Sequence, residues 1–107
     1  MKNVELGSGN VYADLDMPDG DEMHVKAQLV LIFTSEVKQR EWSPQRAADV
    51  LGLPVHIYSE IVRGNFRAVD VMTILRGVTR LGHDIQIIVQ HAKNPTQEGN
   101  IRVLQSR

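Results

Sequence analysis

Three side chains between Gly52 and Gly64 have types that could contact a nucleic acid, namely His56, Glu60 and Arg63. Within this segment, His56 can donate to or accept from a purine edge, and Glu60 can accept a hydrogen bond from the N4 amino group of cytosine. Arg63 ends the segment, where a guanidinium group can contact a phosphate. These residue types suit contact with a nucleic acid, provided that one helix presents them together.

The glycines that bracket this segment are typical of a helix-turn-helix. Ser43 is a suitable N-cap and Pro44 a suitable first residue for a helix that ends at Gly52, in the left-handed conformation that glycine adopts freely. A second short helix is predicted over residues 55–63, with Gly64 as its stop. In such a motif the second helix lies in the major groove of DNA, so its outward side chains would meet the bases.

The first helix is predicted to be apolar on two sides. It begins at Asp19, with acidic residues in the first turn that complement the helix dipole. The expected core face comprises Met23, Ala27, Val30, Leu31, Thr34 and Val37, whereas Val25, Leu29 and Ile32 lie opposite. A helix that is apolar nearly all round needs a second covering surface, and in so short a chain a partner is favoured over the chain's own arm.

The C-terminal part is predicted to change from helix to strand. Asp70 is expected to cap a helix over residues 71–81 that ends at Gly82. Apolar residues then alternate over residues 85–90 and 101–105, which favours a β-hairpin. Because a two-stranded hairpin is marginal alone, we expect it to pack on the helices or to serve as a dimerisation element.

The fold expected from these elements is mainly α, a helix-turn-helix bundle with a C-terminal β-hairpin. Three parts follow along the chain: an extended acidic arm (1–18), a helical domain (19–82) and the hairpin (83–107). Residues 1–22 carry one lysine and six acidic residues, a net charge of −5, and the rest carries eleven basic and seven acidic residues, a net charge of +4. This charge distribution is compatible with contact with DNA but is not evidence for it. The basic residues are explained equally well as ordinary solvated surface charge.

The sequence holds no motif for catalysis or metal binding. The chain has no cysteine, which excludes a disulfide framework and a thiolate site. The histidines lack partners at the spacing of a compact metal site, and no nucleophile elbow, P-loop or dinucleotide fingerprint occurs. The longest apolar run, residues 29–33, is too short to span a bilayer. We therefore expect a soluble, cytoplasmic protein that is not an enzyme, binds no cofactor or metal and has no membrane partner.

Three stretches of the sequence resemble one known family. They are GSGNVYADLDMPDGDEMHVKAQL, SPQRAADVLGLPVHIYSEIVRGNF and LRGVTRLGHDIQIIV, which together lie within about residues 7–105. In order and spacing they resemble the HigA-type antitoxins, small phage-repressor-like helix-turn-helix proteins with an N-terminal extension. The resemblance implies a homodimer that binds operator DNA, represses its own operon and neutralises a RelE-like ribonuclease toxin, with the acidic arm and first helix contacting the toxin.

The resemblance also implies which residues contact DNA. The expected base readers are Val55, His56, Ser59 and Glu60. The expected phosphate contacts are Gln45, Arg63, Asn65 and Arg67. Each of these positions matches a DNA-contacting position of the family's motif or lies on the same exposed side.

The sequence departs from the family pattern in the second helix of the motif. Pro54 stands where a capping serine, threonine or aspartate is usual, and Ile57 holds an outward position that is usually polar or basic. Two alternatives therefore stand beside an antitoxin. One is a protein-interaction module that keeps the repressor fold without specific DNA readout, with Val55 and Ile57 on its binding surface. The other is a stand-alone regulator without a toxin.

Overall fold

The computed structural model describes residues 3–5 and 20–106, and over these residues the chain forms four helices and two short strands. In chain order the elements are β1 (Asn3–Glu5), α1 (Gly20–Gln39), α2 (Pro44–Leu51), α3 (Val55–Val62), α4 (Val71–Arg80) and β2 (Leu104–Ser106). The expected mainly α, helix-turn-helix bundle is confirmed. No helix in this part of the chain is long and apolar enough to cross a membrane.

Local sequence sets the two ends of α2. The hydroxyl oxygen of Ser43 accepts a hydrogen bond from the backbone N–H of Arg46 at 3.1 Å, and Pro44 is the first helical residue, as expected. Gly52 follows the helix with a φ of 73°, and its N–H donates to the carbonyl oxygen of Asp49 at 3.2 Å. Because few residues other than glycine adopt this conformation without strain, the chain turns here and α3 begins directly afterwards.

The start of α3 lacks the side-chain cap that α2 has. Pro54 occupies the capping position and makes no side-chain hydrogen bond to the first turn. The helix ends at Val62, one residue before the expected end, and Gly64 follows with a φ of 93°. Tyr58 and Ile61 are buried, so packing into the bundle holds α3 in place.

The core lies chiefly between α1 and α4, with α2 and α3 packed against them. Phe33 of α1, Ile61 of α3 and Ile74 of α4 have no exposed surface. Gly77 permits the close approach of α4 to α1, because a Cβ atom at this position would lie 2.6 Å from Cζ of Phe33. The helix-turn-helix therefore packs on a dense core between α1 and α4.

The buried face of α1 differs in part from the expected one. Met23 and Val37 are buried as expected, but Leu29 and Ile32 from the opposite side are buried as well. Leu31, which was expected in the core, is 51% exposed. The reason is that α1 packs against both α3 and α4, so helical spacing alone does not identify its buried side.

The expected C-terminal β-hairpin does not form within the described residues. Residues 83–103 contain no helix or strand, and the single C-terminal strand β2 pairs antiparallel with β1, with Val4 opposite Gln105. A strand requires a neighbouring backbone, and the alternating residues 85–90 have none in the described part of the chain. Three apolar side chains of this segment are highly exposed, namely Ile87, Ile88 and Val89, whereas Ile85 is partly buried against the core.

Most of the expected N-terminal arm, residues 1–18, lies outside the described residues, and only β1 belongs to them. The structure describes α1 from Gly20, with Asp21 and Glu22 in its first turn, as the sequence predicts. The extent of the arm and the division of the chain into three parts stay predictions.

Candidate nucleic-acid interface

The outward surface of α3 carries the side chains that are expected to read bases. Val55 and His56 are exposed in the first turn, and Ser59 and Glu60 are partly exposed in the second. Tyr58 lies on the opposite side and is buried. The four expected residues follow the spacing i, i+1, i+4 and i+5, which places them along one accessible strip of the helix.

Apolar side chains contribute to the same helix surface. Val55 is 42% exposed and Val62 is 47% exposed, while Ile57 is partly exposed. In a major groove such side chains can contact the C5 methyl group of thymine, but they form no hydrogen bonds to bases. Hydrogen bonding by α3 therefore depends on His56, Ser59 and Glu60.

Glu60 connects the end of α3 to the loop that follows. Its Oε1 atom accepts a hydrogen bond from Nη1 of Arg63 at 3.2 Å, and its Oε2 atom accepts one from Nδ2 of Asn65 at 2.9 Å. The backbone N–H of Asn65 also donates to the carbonyl oxygen of Glu60 at 2.8 Å. We call these three residues the Glu60 cluster. Two of the expected phosphate contacts thus share one carboxylate.

Lys26 of α1 holds the backbone of the same loop. Its Nζ atom donates to the carbonyl oxygen of Arg67 at 2.9 Å and lies 2.9 Å from Oε2 of Glu22. Only 2% of the Lys26 side chain is exposed, against 56% of the Glu22 side chain. Sequence reasoning missed this residue, because a glutamate four residues before a lysine usually indicates a surface pair on a helix. The contact fixes the backbone of Arg67, an expected phosphate contact.

Gln45 is exposed in the first turn of α2, where positive charge is also present. The guanidinium group of the next residue, Arg46, lies 5.8 Å from the centroid of the Trp42 ring, and that of Arg40 lies 4.9 Å from it. At these distances the negative face of the indole attracts both cations. Arg46 is therefore a further candidate for phosphate contact, which the sequence pattern alone did not indicate.

Burial affects the ionisation of Tyr58 in α3. Burial raises the pKa of the Tyr58 hydroxyl above its usual value of 10.0, because the charged form is poorly solvated there. Tyr58 is therefore neutral at neutral pH. Within residues 3–5 and 20–106, no three acidic or histidine side chains are grouped so that they could hold a metal ion. The chemistry available at this surface is hydrogen bonding, ion pairing and apolar contact.

Comparison with known proteins identifies the family of the chain. Residues 11–90 match the family described as a helix-turn-helix domain, and this range includes all of α1 to α4. No curated protein and no solved structure matches the chain. The matched range contains the capped helix α2, the turn at Gly52 and the accessible strip of α3. The chain therefore belongs to the helix-turn-helix domain family, which indicates a DNA-binding regulator.

Proposed function

We propose that this protein is a transcriptional regulator that reads operator DNA through α3. The observation that supports this best is the accessible strip on the second helix of a helix-turn-helix. In this motif the second helix enters the major groove. Val55 then contacts a thymine methyl group, His56 and Ser59 bond to base edges, and Glu60 accepts from cytosine N4.

Phosphate contacts supply most of the affinity. Arg63, Asn65 and Arg67 follow α3 directly, and Gln45 lies in the first turn of α2. Contacts between cationic side chains and phosphates release counterions and contribute to all DNA sequences alike. The hydrogen bond from Lys26 keeps the backbone of Arg67 in position for this contact.

Arg63→Ala tests the proposed interface. Wild type and variant are titrated by fluorescence anisotropy, at several salt concentrations, against the DNA upstream of the protein's own reading frame and a scrambled duplex. We expect the variant to bind both duplexes more weakly and to reduce the salt slope by about 1. Lys93→Ala removes an exposed charge outside the motif and is the matched control, which should leave both quantities unchanged. Equal affinity of wild type for the two duplexes, or an unaltered slope in Arg63→Ala, would contradict the proposal.

The finer proposal is that the protein is the antitoxin of a toxin–antitoxin pair, which represses its own operon and neutralises a RelE-like ribonuclease toxin. Its support is the resemblance to HigA-type antitoxins and the net charge of −5 over residues 1–22, which attracts a basic ribonuclease. A short basic reading frame next to the gene would supply the toxin. Deletion of residues 1–18 should abolish toxin binding in calorimetry and retain the helical circular dichroism spectrum. Unchanged toxin affinity after the deletion would rule out a role for the arm.

The protein is further proposed to be a homodimer. Ile87, Ile88 and Val89 are 82%, 74% and 93% exposed, and Leu31 of α1 is also half exposed. Such a segment, with no neighbouring strand in the described chain, is suited to pair with a second copy. Sedimentation velocity at micromolar concentration should show a dimer. Ile87→Lys should shift it to the monomer, whereas Gln90→Lys, which adds the same charge at an exposed polar position, should not. A monomeric wild type would contradict the proposal.

The apolar part of the α3 surface favours one alternative, a protein-interaction module that keeps the repressor fold without specific DNA readout. Val55 and Val62 are both nearly half exposed, as in a surface that contacts a protein. In this case wild type would not distinguish the upstream duplex from the scrambled one. A stand-alone regulator is the other alternative, and it would bind the upstream duplex but lack a neighbouring toxin gene.

A further inference from the structure

Both oxygen atoms of the Glu60 carboxylate are occupied within the protein. Oε1 accepts from Arg63 at 3.2 Å and Oε2 accepts from Asn65 at 2.9 Å. A carboxylate is chemically similar to a phosphate group in this respect, because each presents negatively charged oxygen acceptors to a guanidinium group and an amide. In the free protein, Glu60 therefore accepts from one donor group of Arg63 and one of Asn65, two of the residues that the proposed function assigns to the DNA backbone.

The contacts within the Glu60 cluster are positioned to exchange for DNA. The side chains of Arg63 and Glu60 are 71% and 44% exposed, so the ion pair lies in water and contributes little to folding stability. Asn65 is also exposed. A phosphate can thus reach both side chains without local unfolding. To take the N–H groups that Glu60 accepts from, it must displace the carboxylate and then lie close to its negative charge.

We propose that Glu60 determines specificity by masking the phosphate contacts Arg63 and Asn65, so that binding to non-cognate DNA is suppressed; this inference rests on the proposed function. Any duplex offers phosphates to the two donors, but only a suitable base offers a donor to the displaced carboxylate. Non-cognate DNA leaves that carboxylate unpaired beside the backbone. In the operator, a base donates a hydrogen bond to the displaced carboxylate. The free energy lost when the carboxylate leaves Arg63 and Asn65 is therefore offset only at the cognate site.

Glu60→Gln tests the inference, because glutamine keeps the size and one acceptor oxygen of glutamate but removes its charge. The probe is a fluorescein-labelled duplex of scrambled sequence, titrated by anisotropy at low and moderate salt. We expect Glu60→Gln to bind this duplex roughly tenfold more tightly than wild type at low salt, as removal of one negative charge close to a phosphate predicts. The preference for the upstream duplex over the scrambled one should shrink by a similar factor.

Glu98→Gln is the matched control. It causes the same change in net charge at an exposed position of residues 83–103, outside the helix-turn-helix. Its affinity for the scrambled duplex should stay within about twofold of wild type, because a distant exposed charge is screened by salt. Equal tightening by Glu60→Gln and Glu98→Gln would show an effect of net charge alone and overturn the inference.

A measurement on wild type makes the test independent of the folding of any variant. The side-chain amide signals of Asn65 are followed by nuclear magnetic resonance while the scrambled duplex is added. They should shift as Nδ2 exchanges the Glu60 carboxylate for phosphate, and signals that do not move while the duplex binds would overturn the inference. If wild type binds the upstream duplex specifically but Glu60→Gln binds like wild type, this inference fails and the proposed function stands. If neither protein binds any duplex, both fail.

Discussion

The Nζ atom of Lys26 in α1 lies 2.9 Å from the carbonyl oxygen of Arg67, a residue 41 positions later in the chain. The lysine side chain is almost completely buried, and its charge is paired with Glu22 one turn earlier on α1. A side chain from the first helix thus supports the loop that follows the proposed recognition helix. This link fixes the backbone of the loop, in which Arg63 and Arg67 are both exposed.

Lys26→Met should destabilise the protein more than Glu22→Gln. Methionine keeps the length of the apolar stem, but the Arg67 carbonyl loses a charged donor, which should lower the free energy of unfolding by about 1.5–3 kcal/mol. Glu22→Gln removes the charge at the exposed end of the pair but keeps an acceptor oxygen for Lys26, so it should cost less than Lys26→Met. Urea denaturation followed by circular dichroism measures both. Equal costs would show that the loop contact contributes nothing beyond the ion pair.

Ser43→Ala should remove the cap of α2. The Arg46 N–H loses its acceptor, so we expect the free energy of unfolding to fall by about 1 kcal/mol. Ser35→Ala, at an exposed position within α1, is the control and should be neutral or slightly stabilising, because alanine has the higher helix propensity. The same denaturation experiment compares the two variants. A neutral result for Ser43→Ala would mean that the hydrogen bond does not stabilise α2.

Gly77→Ala should loosen the contact between α1 and α4. The added methyl group would meet Cζ of Phe33 at 2.6 Å and Cδ2 of Leu51 at 3.4 Å, and Phe33 is fully buried. Overpacking should outweigh the gain in helix propensity and leave a net loss of about 1–2 kcal/mol. Gly99→Ala serves as control, because the nearest atom to its new Cβ is Ala92 Cβ at 3.7 Å. A stabilised Gly77→Ala variant would contradict the close packing described above.

Tyr58 should make the protein less stable in alkaline solution. Because burial raises the pKa of its hydroxyl, the unfolded chain loses this proton at a lower pH than the folded protein does. The stability that the buried neutral hydroxyl contributes is therefore fully present below the pKa of about 10 in the unfolded chain. It is lost as pH rises through the pKa of the folded protein. Tyr58→Phe lacks this contribution, so the difference in unfolding free energy between variant and wild type should move in favour of the variant between about pH 8 and pH 11. A difference that is independent of pH would contradict the prediction.

The parts of the fold that depend on neighbouring residues in sequence could be predicted. Ser43, Pro44 and Gly52 each act through backbone geometry within one or two turns, so the ends of α2 follow from these residues alone. For α3, helical spacing predicts correctly that Tyr58 and Ile61 are buried, but it also places Val62 on the inward side, and Val62 is nearly half exposed.

The parts that depend on distant contacts could not be predicted in this way. Leu29 and Leu31 have identical side chains. Leu29 is buried and Leu31 is exposed because of how α3 and α4 pack against α1. The alternation over residues 85–90 favours a strand, but strand formation depends on a partner backbone that the pattern does not identify. Lys26 was overlooked because its acceptor, the Arg67 carbonyl, lies far away in the chain.

The placement of Trp42 between two arginines has a practical consequence. It is the only tryptophan of the chain, and the guanidinium groups of Arg40 and Arg46 lie over its ring at the junction of α1 and α2. Its fluorescence emission is therefore a built-in optical reporter of this junction, since separation of the helices exposes the indole to water and removes both cations. Because α3 contains no tryptophan, changes in tryptophan emission during titration would arise at the α1–α2 junction and not within the proposed recognition helix.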